Sequence, residues 1–154
     1  MDKKPWDIEP ELTEDRLCSL ANIIKEVRNK AVSLHDPDKG DGAWSLGCRV
    51  YERTINTITD KAETLPWLDF YRDNLYFIIM IKGVPLRFFK GRVNSPTLRT
   101  LRQRFPEQRG EQIMFDFESD REWFWRMAIE TEEDGSVFRI LLGQYDKADR
   151  KSVV

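Results

Sequence analysis

The spacing of apolar residues changes once along this chain, near Pro66, and that change restricts the fold more than any motif does. Before it, Leu20, Ile24, Val27, Ala31 and Leu34 step by threes and fours and so fall along one side of a helix. Thr13, followed by Glu14 and Asp15, offers a capping hydroxyl and a first turn whose acids suit the positive helix end. The stretch His35 to Gly42 carries Pro37, Gly40 and Gly42 and breaks that helix. A second stripe follows at Trp44, Cys48, Tyr51, Ile55, Ile58, Ala62 and Leu65, and Pro66 closes it. Two amphipathic helices on a short polar loop are expected to pair antiparallel, each covering the other's apolar side.

Beyond Pro66 the pattern is that of strands. Leu75 to Ile81 is a continuous apolar run, as expected of a strand buried on both faces. Lys82-Gly83 turns the chain into Val84 to Phe89, where Pro85 lacks a donor, so this strand is expected to start late or lie at an edge. Ser95-Pro96 marks a helix start, with Leu98, Leu101 and Phe105 on one side and Pro106 at the end. Ile113, Phe115 and Phe117 alternate, as do Trp123, Trp125, Met127 and Ile129; Glu133 to Ser136 is a turn, and Val137 to Leu142 returns as hairpin partner. The expectation is an α+β fold: an N-terminal antiparallel helical hairpin packed on an antiparallel sheet of about five strands, with a short inserted helix. With 154 residues there is room for a single domain, 1–145, and a flexible tail, 146–154.

The residue inventory limits the chemistry. His35 is the sole histidine, so a scheme needing two imidazoles is excluded. Asp36, Asp38 and Asp41 beside it imitate a calcium loop, but the register fails: the obligatory glycine falls on Asp41 and the closing glutamate on Gly47. Solvated turn chemistry is the expected use of these aspartates, and no metal or cofactor is expected. Cys18 and Cys48 belong to no CxxC pair and are expected as buried free thiols in a reducing cytoplasm, a single bridge being the alternative. No nucleophile elbow and no phosphate loop of known type occurs, which argues against an enzyme. Nothing approaches about 18 consecutive apolar residues, and the lysines near the start precede no apolar stretch, so neither a membrane span nor a secretory signal is expected.

Charge is the informative feature. From Lys82 to Arg109 stand Lys82, Arg87, Lys90, Arg92, Arg99, Arg102, Arg104 and Arg109 against the lone acid Glu107. Glu111 to Asp134 then carries a cluster of acids against Arg121 and Arg126. A local cationic excess can bind anions although the whole chain has a formal charge of −2. The bland alternative is that the two segments screen each other. The site expected here comprises Arg87, Lys90, Arg92, Arg99, Arg102, Arg104 and Arg109 with the aromatic residues Phe89, Trp123 and Trp125 exposed beside them, since tryptophan and arginine dominate binding hot spots. The expected function is a cytoplasmic, non-enzymatic protein-interaction module for a partner with an acidic surface, of the general type of an immunity protein, antitoxin or accessory factor by analogy alone, with a homodimer as a further option. The second reading is a nucleic-acid-binding regulator that contacts phosphates through the 87–109 segment.

Overall fold

The computed structural model describes residues 3–74, 76–96 and 123–146. It is an α+β fold in which the helices come first and a five-stranded mixed sheet follows. A short helix α1 (Pro5–Ile8) leads to α2 (Glu14–Ser33) and α3 (Ala43–Ala62), joined by a loop that contains the 3-10 turn Pro37–Lys39. The strands are β1 (Leu68–Asp73), β2 (Tyr76–Ile81), β3 (Val84–Lys90), β4 (Trp123–Thr131) and β5 (Val137–Asp146), lying side by side in chain order.

The helix boundaries follow local chemistry. The Thr13 hydroxyl accepts the Arg16 N–H at 3.3 Å, the expected cap of α2. Helices α2 and α3 pack on each other, which is compatible with the expected hairpin. The buried sides, however, are rotated from the apolar stripes. In α2 the buried residues are Leu20, Ile23, Ile24, Arg28 and Ala31, while Leu34 is exposed. In α3 they are Val50, Thr54, Ile55 and Ile58, and Trp44, placed on the stripe by its spacing, is 83% exposed. Polar residues that satisfy themselves took core positions that an apolar count passes over: the Thr54 hydroxyl donates to the Val50 carbonyl at 2.6 Å, and Arg28 Nε donates to the Gly135 carbonyl at 2.6 Å. Cys18 and Cys48 are free but exposed, which corrects the expectation of buried thiols. Cys18 lies two positions, about 200° of helical turn, from Leu20.

The sheet departs from the expected one in three ways. First, β1 was not foreseen; it pairs antiparallel with β2 from Leu68↔Ile81 to Asp73↔Tyr76. The helix expected from Pro96 to Phe105 and the strand expected at Ile113 to Phe117 lie outside the described residues, apart from Pro96 itself. Second, β3 is the central strand rather than an edge, and Pro85 sits buried inside it. Lys82 and Gly83, with φ of 49° and 85°, make a two-residue turn that closes on Ile81↔Val84. The next pair, Met80↔Pro85, is therefore a non-hydrogen-bonded one, and a donor at Pro85 would point away from β2. On that side the β4 ladder begins only at Leu86↔Trp125, so the missing N–H falls where no partner stands. Third, β3 and β4 are parallel. Apolar spacing carries no information on strand direction, and the long connection between Lys90 and Trp123 can supply the crossover a parallel pair requires. Strand β5 runs through Asp146; the remainder of the expected tail, 147–154, lies outside the described residues.

Alternate side chains separate the two faces of the sheet. One face, with Leu68, Phe77, Ile79, Ile81, Leu86, Trp125, Met127 and Ile129, closes on Leu12, Leu20, Ile24, Ile55 and Ile58 from the helical half. The other gathers Phe124, Ala128 and Tyr145 with Val93, Phe89 and Leu141. Across its middle, Arg87 of β3 stands opposite Arg126 of β4, and Arg126 opposite Gly143 of β5. Arg126 is 1% exposed, donates to the Trp125 carbonyl at 2.9 Å and lies 4.6 Å over the Phe124 ring.

Gly143 has no side chain because the Tyr145 ring lies over it. A Cβ there would stand 2.7 Å from two ring carbons. Gly143→Ala is expected to lower unfolding stability by about 1–3 kcal/mol through overpacking. Urea unfolding of the two forms measures the difference; an unchanged midpoint would show that the ring moves aside without cost.

Candidate binding cleft

The end of β3 is shaped by one residue. Gly91 has φ +152°, a conformation that side chains rarely adopt, and its N–H donates to the Ile129 carbonyl at 3.0 Å. The chain then turns, with the Ser95 N–H donating to the Arg92 carbonyl at 3.1 Å. Because β3 and β4 run parallel, this turn emerges beside the last residues of β4 and the first of β5. A cleft of about 590 Å³ lies between them, lined by Lys90, Arg92, Asn94, Ser95 and Gly91 on one side and by Ile129, Glu130, Thr131, Phe138 and Arg139 on the other.

Its floor holds an ion pair. Arg139 Nε donates to Glu130 Oε1 at 2.8 Å across the β4–β5 ladder, where the two residues face each other. The hydrogen bond from Arg139, the charge of the same guanidinium, the Val93 N–H and the nearby charge of Arg92 together hold the Glu130 carboxyl below the usual range, against some loss of hydration. Arg139 also lies 5.5 Å over the ring of Phe138, which is 59% exposed. The side chains of Lys90 and Arg92 are exposed and form no hydrogen bond or ion pair among the described residues. The cleft thus sets three cations around one carboxylate that is already engaged.

The structure distributes the residues expected to form one site. Lys90 and Arg92 come together here. Arg87 does not: it is half-buried on the sheet face, 5.1 Å over the Tyr76 ring and opposite Arg126. Arg99, Arg102, Arg104 and Arg109 lie outside the described residues. Phe89 is half-buried and packs with Val93 and Phe124. Trp125, expected as an exposed aromatic, is 4% exposed in the helix-facing core, because it shares the inward side of β4 with Met127 and Ile129. Trp123 is 37% exposed but stands at the far end of β4, paired with Asp146 and away from the cleft. Arg139, Glu130 and Phe138 escaped the sequence reading. The signal for the first two was present: opposite charges flanking a two-stranded hairpin, within reach of each other across it.

The other candidates fall to ordinary structural roles. Asp41 accepts the Asp36 N–H at 2.9 Å and Asp36 accepts the Asp38 N–H at 3.2 Å, so these carboxylates hold the interhelical turn. His35 Nδ1 lies 4.0 Å from Asp41. Among the described residues no group of three or more His, Cys, Asp or Glu side chains is placed to hold a metal. No described helix is long and apolar enough to cross a membrane. Burial pushes the Tyr145 hydroxyl up to about 12, so it stays neutral and donates to the Val93 carbonyl at 2.8 Å. Compared with protein-family models, with curated proteins and with solved structures, the chain matches none significantly.

Glu130 yields a pH dependence. Its folded value is depressed, so its contribution to stability is fully present above the unfolded carboxyl value of about 4.3 and is lost as pH falls through the folded one. Glu130→Gln is expected to lower the unfolding midpoint above about pH 5, with the difference from the parent chain closing as pH falls toward about 3, so that the acid limb flattens. Thermal unfolding between pH 3 and pH 7 measures it, and parallel curves for the two forms would rule the linkage out.

Proposed function

We propose that this chain is a non-enzymatic interaction module of the cytoplasm whose cationic surface binds a protein partner that presents an acidic one. The observation that carries the reading is the placement of Lys90 and Arg92, without an ion pair, beside Arg139 in one concave cleft. Such a cation excess focuses positive potential where a partner's carboxylates dock, which favours encounter and fixes orientation. The lining supports binding rather than catalysis: amide and hydroxyl side chains, cations, and a carboxylate that Arg139 keeps ionised and hydrogen-bonded, a poor proton acceptor near neutral pH. Phe138 adds exposed apolar area at the rim, as partner-binding surfaces commonly do.

The reading is tested with defined polyanions. Fluorescence anisotropy should show an acidic polypeptide such as poly-glutamate binding at low salt and weakening as salt rises. The double variant Lys90→Glu, Arg92→Glu should lose at least about tenfold in affinity, since two attractions become repulsions, with the unfolding midpoint unchanged. Single-stranded DNA that binds more tightly than the polypeptide would transfer the cleft to the nucleic-acid reading. No loss of polypeptide affinity in the double variant would remove the cleft from the function altogether.

A further inference from the structure

We propose that the group the cleft receives from its partner is a phosphomonoester dianion, that is, a phosphorylated side chain. The proposal deepens the interaction reading above and rests on it. Charge balance is the first argument. Lys90, Arg92 and Arg139 around Glu130 leave the lining a net charge of +2. One carboxylate would neutralise half of that, and so would one nucleic-acid phosphodiester. A phosphomonoester carries about −1.5 to −2 at neutral pH and matches it.

Preorganisation is the second argument. The Arg139 guanidinium is fastened twice, by its Nε bond to Glu130 and by its position over Phe138. The fastening uses Nε and leaves the two terminal nitrogens without a hydrogen bond among the described residues. A planar fork held in place loses little freedom when it grips two oxygens of one phosphoryl group, the geometry arginine suits best. Lys90 and Arg92 approach from the opposite wall, and Asn94, Ser95 and Thr131 offer polar side chains that can serve the remaining oxygen. Glu130 in this arrangement is a positioning residue that acts through Arg139.

The third argument is size. A cleft of about 590 Å³ exceeds a phosphoryl group alone, and Phe138 supplies an apolar wall for whatever bears it. A phosphorylated segment of a protein fills both needs where a free phosphate ion fills one.

The experiment titrates the whole chain by fluorescence anisotropy with a labelled phosphoserine peptide, the same peptide with glutamate in place of phosphoserine, and the unphosphorylated peptide. At pH 7.5 the phosphopeptide is expected to bind about tenfold more tightly than the glutamate peptide, a preference that shrinks at pH 5 because the second phosphate ionisation lies near about pH 6. Inorganic phosphate at millimolar concentration should displace it. Arg139→Lys, which keeps the charge and removes the fork, should abolish the preference, and Glu130→Leu, which releases Arg139, should weaken it; Arg53→Gln, an exposed site on α3, should change nothing. Equal binding of the phosphopeptide and the glutamate peptide would overturn the phosphate assignment and leave the acidic-partner reading standing. Failure of phosphate to compete, or an undiminished preference in Arg139→Lys, would also overturn the assignment. Absence of binding by either charged peptide would overturn both readings.

Discussion

The parallel pairing of β3 with β4 is the constraint on which the rest of this architecture depends. Parallel neighbours end at the same edge of a sheet, so the chain leaving β3 at Gly91 emerges beside Ile129 and Glu130. The β4–β5 hairpin begins its return there, which brings Phe138 and Arg139 to the same place. Had β3 and β4 run antiparallel, Lys90 would face the start of β4 at Trp123, and Glu130 would meet no Arg92. One choice of strand direction therefore assembles residues far apart in the chain into one cleft. The helical half takes no part in its lining, but it anchors the same hairpin from behind: Arg28 and Asn29 of α2 hydrogen-bond the Gly135 carbonyl and the Val137 N–H.

Arginine serves three different purposes here, decided by burial. Arg28 and Arg126 are buried and each donates to a main-chain carbonyl, where an unsatisfied guanidinium would cost on the order of several kcal/mol in lost hydration. Arg87 lies between these extremes, with its guanidinium over a tyrosine ring. Arg92 and Arg139 are at the surface, where water sustains their charge and a ligand can exchange with that water. The composition of a basic segment cannot separate these uses, since the same side chain is an internal tether or an external contact according to which way its strand faces.

Much of the fold was legible. The caps and breakers at Thr13, Pro37 and Gly40, the apolar run of β2 and the β4–β5 hairpin are short-range features, written in adjacent residues. Strand β1 was not: in Leu68 to Asp73 the apolar–polar alternation breaks at Tyr71, where two aromatic residues precede the charged pair Arg72-Asp73, and such an edge segment reads as loop until β2 pairs with it. Pro85 misled because a missing donor is excluded from a sheet only where a partner would use it. Of the site, Lys90 and Arg92 were found through their charge. Arg139 and Glu130 were passed over because each is unremarkable until the hairpin register sets them face to face.

Local stereochemistry and hydrophobic period acted through neighbours a few residues apart, so the chain by itself determined its two halves, its helix starts and stops, its turns and its cationic stretch. Strand direction, the rotation of each helix about its axis and the separation of inward from outward arginines were left to the tertiary structure. These depend on contacts between residues dozens of positions apart, and their energies come from burial and pairing that exist only once the sheet and helices have met.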